Sequence, residues 1–235
     1  MNTMFSGFYE RFGLNAYVQG DLARAEKWFR RLEAREPDSI RVLRNLGVIR
    51  LAQGDTAGAL RYLKREEALY GASFHRHAAL ADLAYSSGDR KEAGRRYALA
   101  LAEPEAAPGG RYAASRALLE ARLAIASDPA AWEKSRASML RFAEAEARRD
   151  GGEPEAAYRL FREAADLDPT NWPSLNNAGS LALNAMDDPE TARELFSRAL
   201  SLSPGSQVAR NLELAGEAIA RRDKEAGRRK GPRKE

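Results

Sequence analysis

The sequence predicts an all-α fold, a solenoid in which antiparallel helix pairs are stacked end to end. Three Gly-Asp pairs, Gly20-Asp21, Gly54-Asp55 and Gly88-Asp89, stand 34 residues apart. Four residues after each Asp comes Ala25, Ala59 or Ala93, and four further on Phe29, Leu63 or Tyr97. A fixed period of this length with constant punctuation marks a repeated helix–turn–helix unit. The second observation is that the strand-type alternation of apolar and polar residues is absent. One such hairpin cannot bury its apolar face alone, so neighbouring hairpins stack and share a continuous core.

The stretch 40–71 shows how one unit works. Val42, Leu43, Leu46 and Ile49 recur at three- and four-residue steps and form one helix face. Gly47 follows Leu46 where two helices pass closely and a bulky side chain would separate them. Gly54 suits the left-handed residue that ends a helix, and Asp55 can accept from the free amides that begin the next one. Ala59 then allows close approach, with Leu60 and Leu63 filling the space beside it.

The other copies follow in order. The first offers Tyr9, Phe12-Gly13, Ala25, Phe29 and Pro37; the third has His77, Leu80-Ala81, Ala93, Tyr97 and Pro104. Toward the C-terminus, Ala157, Phe161, Ala164 and Pro169 form one set, and Ala192, Phe196, Ala199 and Pro204 another, 35 residues on. Asn177-Ala178-Gly179 heads the last copy, and its turn, Met186-Asp187-Asp188-Pro189, reads as one residue longer. Val208-Ala-Arg-Asn-Leu212 echoes Val42-Leu-Arg-Asn-Leu46, so 206–222 reads as an unpaired first helix that closes the stack. This pattern of Leu-Gly, Ala, aromatic and Pro resembles the tetratricopeptide repeat (TPR). The resemblance implies a right-handed α-solenoid, a superhelix whose first helices line a concave groove where relatives bind peptides or partner helices.

The register breaks once. Ala93 to Ala157 is 64 residues, short of two periods, and the gap holds Pro104, Pro108-Gly109-Gly110 and Asp128-Pro129, all loop signals. Helices are expected at 111–126 and 130–149. The expected organisation is a three-repeat block over 1–104, a degenerate helical insertion over 105–135, a two-repeat block with its closing helix over 136–222, and a disordered basic tail over 223–235.

Charge concentrates at that tail. The net charge of the 235 residues is +4, but 221–235 holds eight Lys/Arg against three Asp/Glu, leaving thirty positive and thirty-one negative charges elsewhere. The near-neutral body and the apolar-poor tail read as a folded unit with a solubilising terminus. The N-terminus lacks a basic start followed by an apolar run, so no secretory signal is expected. No stretch reaches the roughly 20 apolar residues that span a bilayer. The chain has no cysteine, which excludes disulfides and thiol chemistry and fits a cytoplasmic setting.

Catalytic chemistry finds little to stand on. The two histidines, His75 and His77, lie two apart on a helix and point to nearly opposite faces, whereas helical zinc pairs sit four apart. His77 occupies a position the repeat gives to an aromatic, which makes packing its job. There is no phosphate-binding glycine loop and no nucleophile elbow. Carboxylate pairs such as Glu66-Glu67 and Asp187-Asp188 read as solvated helix ends. No enzyme activity, cofactor or metal is expected.

The resemblance places inward-facing positions at Glu10, Arg11, Leu14 and Tyr17 of the first copy and Arg41, Arg44, Asn45 and Val48 of the second. The third supplies His75, Ala79, Asp82 and Tyr85, the last Asn176, Asn177, Ser180 and Asn184, and the closing helix Gln207, Arg210, Asn211 and Leu214. The two-Lys, two-Asn, one-Arg carboxylate clamp of some relatives is matched only at Asn45. Asn176, Asn177, Ser180, Asn184, Arg210 and Asn211 would line one strip able to hold an extended peptide backbone. Leu14, Tyr17, Val48 and Tyr85 would serve an amphipathic helix. The expected function is a non-catalytic adaptor that binds a peptide or helix of a partner protein in the groove. Two alternatives remain: a homo-oligomeric scaffold made by end-to-end stacking, and weak nucleic-acid or anionic-surface association through the tail.

Overall fold

The computed structural model describes residues 3–229. Among the described residues the chain is all-α, and it divides after Glu105 into two compact units. The first unit holds α1 (Thr3–Val18), α2 (Leu22–Glu33), α3 (Ile40–Ala52), α4 (Thr56–Tyr70), α5 (Phe74–Ser87) and α6 (Arg90–Ala102). The second holds α7 (Arg116–Ser127), α8 (Pro129–Asp150), α9 (Pro154–Leu167), α10 (Trp172–Asn184), α11 (Pro189–Leu202) and α12 (Ser206–Arg229). Short 3-10 turns, Pro104–Ala106 and Ala113–Ser115, lie between α6 and α7. No helix among the described residues is long and apolar enough to cross a membrane.

In the first unit α1 pairs with α2, α3 with α4 and α5 with α6, and each pair packs on the next through α2–α3 and α4–α5. The Gly-Asp punctuation does what its chemistry requires. Gly20, Gly54 and Gly88 take φ of 78°, 77° and 88°, a region that suits glycine because it has no Cβ. Asp21, Asp55 and Asp89 then accept from the backbone N–H groups of Arg24, Gly58 and Glu92 at 2.9, 2.8 and 3.1 Å. Each such cap is worth about 1 kcal/mol. Ala25, Ala59 and Ala93 are fully buried where the paired helices touch. Phe29 and Tyr97 fill the space beyond them and are likewise buried.

In the second unit α8 pairs with α9 and α10 with α11, while α12 packs on α11. Phe161, Leu175, Leu195 and Val208 share one buried cluster, and Phe196, Ala182, Ala192 and Ala215 another. The longer turn of the last copy is accommodated by Asp187, a non-glycine residue at φ 52°. Asp188 then caps Thr191 N–H at 3.1 Å.

Three boundaries differ from those expected. The division at 135/136 falls inside α8, which starts at Pro129 because Asp128 caps Ala130 N–H at 2.8 Å and Pro suits the first helical position. The helix expected from 111 begins at Arg116, after the 3-10 turn. The closing helix does not stop at 222 but continues as α12 to Arg229, so 223–229 of the expected disordered tail is helical. Arg222 anchors that extension by donating to Glu190 Oε2 at 3.0 Å and to the Asp187 carbonyl at 3.2 Å. The expected tail residues 230–235 lie outside the described residues.

Candidate functional site

In the first unit, the exposed edges of α3 and α5 and the flank of α4 enclose a cleft of about 220 Å³ lined by Arg44, Val48, Leu63, Glu66, His75, Arg76 and Ala79. Arg44, Val48, His75 and Ala79 are four of the inward-facing positions named from sequence. Val48 is 43% exposed at its wall. The floor is ionic. Glu66 is only 1% exposed and accepts from Arg44 Nη2 at 2.9 Å, while Arg76 Nε lies 3.2 Å from the same oxygen. Arg76, itself buried, also donates to the Gly71 carbonyl at 2.8 Å. Reading Glu66 as a solvated helix end was therefore wrong. Its partners come from two other helices, α3 and α5, with no local spacing to reveal them.

Other expected groove residues of this unit are differently engaged. Asn45 Nδ2 donates to the Arg41 carbonyl of its own helix at 2.7 Å. Arg41 bridges Glu10 and Glu36 at 2.9 and 2.6 Å. Asp82 is exposed and accepts from the Tyr97 hydroxyl at 2.7 Å. Tyr85 is 3% exposed, its ring edge-on to Tyr97 at 6.1 Å. It belongs to the α5–α6 core and offers no apolar surface for a ligand, because α5 buries Leu83, Ala84 and Tyr85 together.

The second unit brings the expected amide strip together on α10 and α12. Asn211 Nδ2 donates to Asn176 Oδ1 at 2.9 Å, and Gln207 Nε2 donates to Asn211 Oδ1 at 3.0 Å. Ser180 turns back to the Asn176 carbonyl at 3.0 Å, and Arg210 pairs with Glu213 at 3.0 Å. Asn177 is half-buried and Asn184 exposed. The strip exists, but much of its hydrogen-bonding capacity is turned inward.

His77 is buried in the first unit, with Nδ1 3.2 Å from Arg96 and Nε2 3.7 Å from Glu103. His75 is exposed on the other side of α5. Burial, reinforced by the Arg96 charge, pushes the His77 pKa below its ordinary value. Arg96 also donates to Glu67 at 2.9 Å and holds that carboxyl below the usual range. Hydrogen bonding to Arg95 and Arg96 lowers Glu92 to about 2. The signs agree. An unfolded histidine protonates at pH ~6.5 while folded His77 takes up its proton only at lower pH, so stability falls as the pH drops below the unfolded value. Glu67 and Glu92 stabilise the fold above an unfolded pKa of ~4.3, and that contribution is lost as the pH falls through their depressed folded values. The thermal midpoint is expected to decline from pH 7 toward pH 5. His77→Phe should flatten that limb without removing the steeper loss below pH ~4. Thermal melts across pH by circular dichroism check both limbs.

No protein-family model matches the chain, and no curated protein matches it. In structure it is similar to the TPR domain of P58(IPK), with 18% identity, 96% of this chain and 68% of that one covered, and a TM-score of 0.45. MamA from residue 41 onward, from Desulfovibrio magneticus RS-1, gives 16% identity, coverage of 86% and 97%, and a TM-score of 0.46. YrrB, described as a TPR protein with an unusual peptide-binding site, gives 13%, 87% and 90%, and 0.42. The recognition of TPR-type hairpins rests on this chain itself, through its 34-residue interval, its capped Gly-Asp turns and its buried Ala and aromatic positions.

Proposed function

We propose that the chain is a non-catalytic protein-interaction adaptor that seats a peptide segment of a partner in the α3–α4–α5 cleft. The carrying observation is that four inward-facing positions from two consecutive repeats, Arg44, Val48, His75 and Ala79, line one cavity. Its volume of about 220 Å³ suits one large apolar side chain, held between Val48, Leu63 and Ala79. Arg44 at the mouth is 49% exposed on its side chain and keeps donors for a backbone carbonyl or carboxylate beside the anchor. The amides of α10 and α12 are a secondary contact strip, since Asn176 and Asn211 already satisfy each other. The buried carboxylate Glu66 is committed to two arginines.

Affinity capture from native lysate tests this. Wild type is expected to retain a partner that Val48→Glu/Ala79→Glu loses, because two carboxylates then occupy the apolar cleft. Asn177→Ala/Arg210→Ala/Asn211→Ala should retain it. The reverse pattern moves the site to the α10–α12 strip. Recovery of additional copies of the bait alone favours the self-assembling scaffold.

A further inference from the structure

The α1–α2 hairpin has two sides. On one, α3 packs against α2, with Val42, Leu46 and Ile49 in the same buried cluster as Phe29 and Leu32. The other carries large apolar side chains that stand about half open to solvent. Phe5, Phe8 and Phe12 form a stripe along α1 at 51%, 48% and 44% exposure, and Trp28 of α2 extends it, its ring 5.2 Å from that of Phe12. Aromatic residues at this spacing and exposure constitute a contiguous patch of the kind that marks an interaction site.

The patch is flanked by cations from one face of α2 and the turn that follows it. Arg24, Lys27, Arg31 and Arg35 are all exposed. Arg31 lies over Trp28 at 4.7 Å, and Arg35 over Phe5 and Tyr9 at 5.5 and 5.0 Å. None of the four is ion-paired with a carboxylate among the described residues. The acidic residues of α2 face elsewhere: Glu26 is taken by Arg50 and Gln53 of α3, and Glu33 by Arg30 and the Tyr62 hydroxyl. The segregation leaves an aromatic strip beside a row of unsatisfied positive charge.

We infer that this outer face of the first hairpin docks an acidic amphipathic helix of a partner protein, a second site separate from the cleft. Two features select that occupant. The face lies opposite the one on which the next hairpin stacks, so an added helix continues the packing that builds the unit. The charges then call for carboxylates along both edges of its apolar stripe. From Arg24 to Arg31 the helical part of the row spans about 10 Å at 1.5 Å per residue, and Arg35 extends it past the end of α2, which corresponds to a docked helix of two turns or more. A second copy of the chain is a poor occupant, since two-fold pairing through this face sets the same four cations against each other.

The test is fluorescence anisotropy with a labelled synthetic helix of about four turns, Leu on one face and Glu along its flanks, titrated with the full chain. A matched peptide with Lys in place of Glu, oligothymidine, and phosphatidylcholine–phosphatidylserine vesicles serve as alternatives. The Glu peptide is expected to bind, and Lys27→Glu/Arg31→Glu to weaken it by about tenfold or more, with weaker binding at high salt. The Lys peptide should prefer the charge-reversed variant. Circular dichroism checks that this variant stays folded, and Val48→Glu/Ala79→Glu should bind the Glu peptide as wild type does, which separates this site from the cleft. Failure of the Glu peptide to bind overturns the proposal, as does equal binding by the charge-reversed variant. So does oligothymidine or vesicle binding with the same residue dependence, or a dimer that Lys27→Glu/Arg31→Glu dissolves.

Discussion

Phe196→Ala is expected to destabilise the second unit by about 3–5 kcal/mol, the range for removing a buried phenylalanine ring. Phe196 is 1% exposed and shares its cluster with Ala182, Ala192 and Ala215, so its ring ties α10, α11 and α12 together. Gly179 makes the site specific. A Cβ there would stand 2.7 and 2.9 Å from two ring atoms of Phe196, closer than packed carbons approach. Gly179→Ala is therefore expected to cost about 1–3 kcal/mol of overpacking, reduced by the roughly 1 kcal/mol gained in helix propensity. The first copy repeats the arrangement, since a Cβ on Gly13 would stand 2.5 Å from the Phe29 ring. The second copy is a natural control: Leu63 stands where these two copies have Phe29 and Phe196, and a Cβ on Gly47 would meet only ordinary contacts at 3.5 Å and beyond. Gly47→Ala should be neutral or stabilising by up to about 1 kcal/mol. In a Phe196→Leu background the cost of Gly179→Ala should shrink, a non-additivity that urea titrations of the four species measure directly.

Asp168→Ala is expected to cost about 3 kcal/mol in the same titration, from a side chain with no counterpart in the repeat pattern. Asp168 is 3% exposed and accepts three hydrogen bonds: Ser135 Oγ at 2.7 Å, Thr170 N–H at 2.8 Å and Thr170 Oγ1 at 2.7 Å. Beside it, Ser138 donates to the Ala164 carbonyl at 2.7 Å and accepts from Asn171 Nδ2 at 2.9 Å. This knot fastens α8 to the turn between α9 and α10. Truncating Asp168 removes the acceptor shared by two buried hydroxyls and one amide, and a hydrogen bond to a carboxylate is worth about 1.5–3 kcal/mol. The contributions do not add in full, because the residues share one network. Asp168→Asn keeps an acceptor and should lose less. Equal losses for the two variants would mean that the hydrogen bonds are not what the site contributes.

These two sites show what could be read from sequence. The Gly-Asp turns were legible because their physics is local: a left-handed glycine and a carboxylate reaching an amide three residues on need no knowledge of the rest of the chain. The Ala and aromatic positions followed from their fixed distance to those turns. Asp168, Ser135 and Ser138 were invisible because isolated polar residues paired at 33 positions apart carry no pattern until α8 folds against α9. The same holds for Glu66, whose arginines come from α3 and α5. Tyr85 was misplaced because position in a repeat fixes a helix face only approximately, and α5 buries a wider face than the pattern assigns. The amide strip was placed on the right helices, but sequence could not show that Asn176 and Asn211 would bond to each other. The start of α8 at Pro129 was signalled by Asp128-Pro129, a helix start that resembles a loop signal when read alone.

Site-specific photocrosslinking on the full chain tests whether the α3–α4–α5 cleft seats the partner. A benzophenone amino acid would replace Val48 or Ala79 in the cleft, or Arg61 on the exposed face of α4. Positions 48 and 79 are expected to trap one and the same partner polypeptide, its modified residue in a segment with an apolar anchor, while position 61 yields none of that adduct. Adducts of equal yield at 61, or none at 48 and 79 while the partner still co-purifies, would contradict the assignment of the cleft as the binding site.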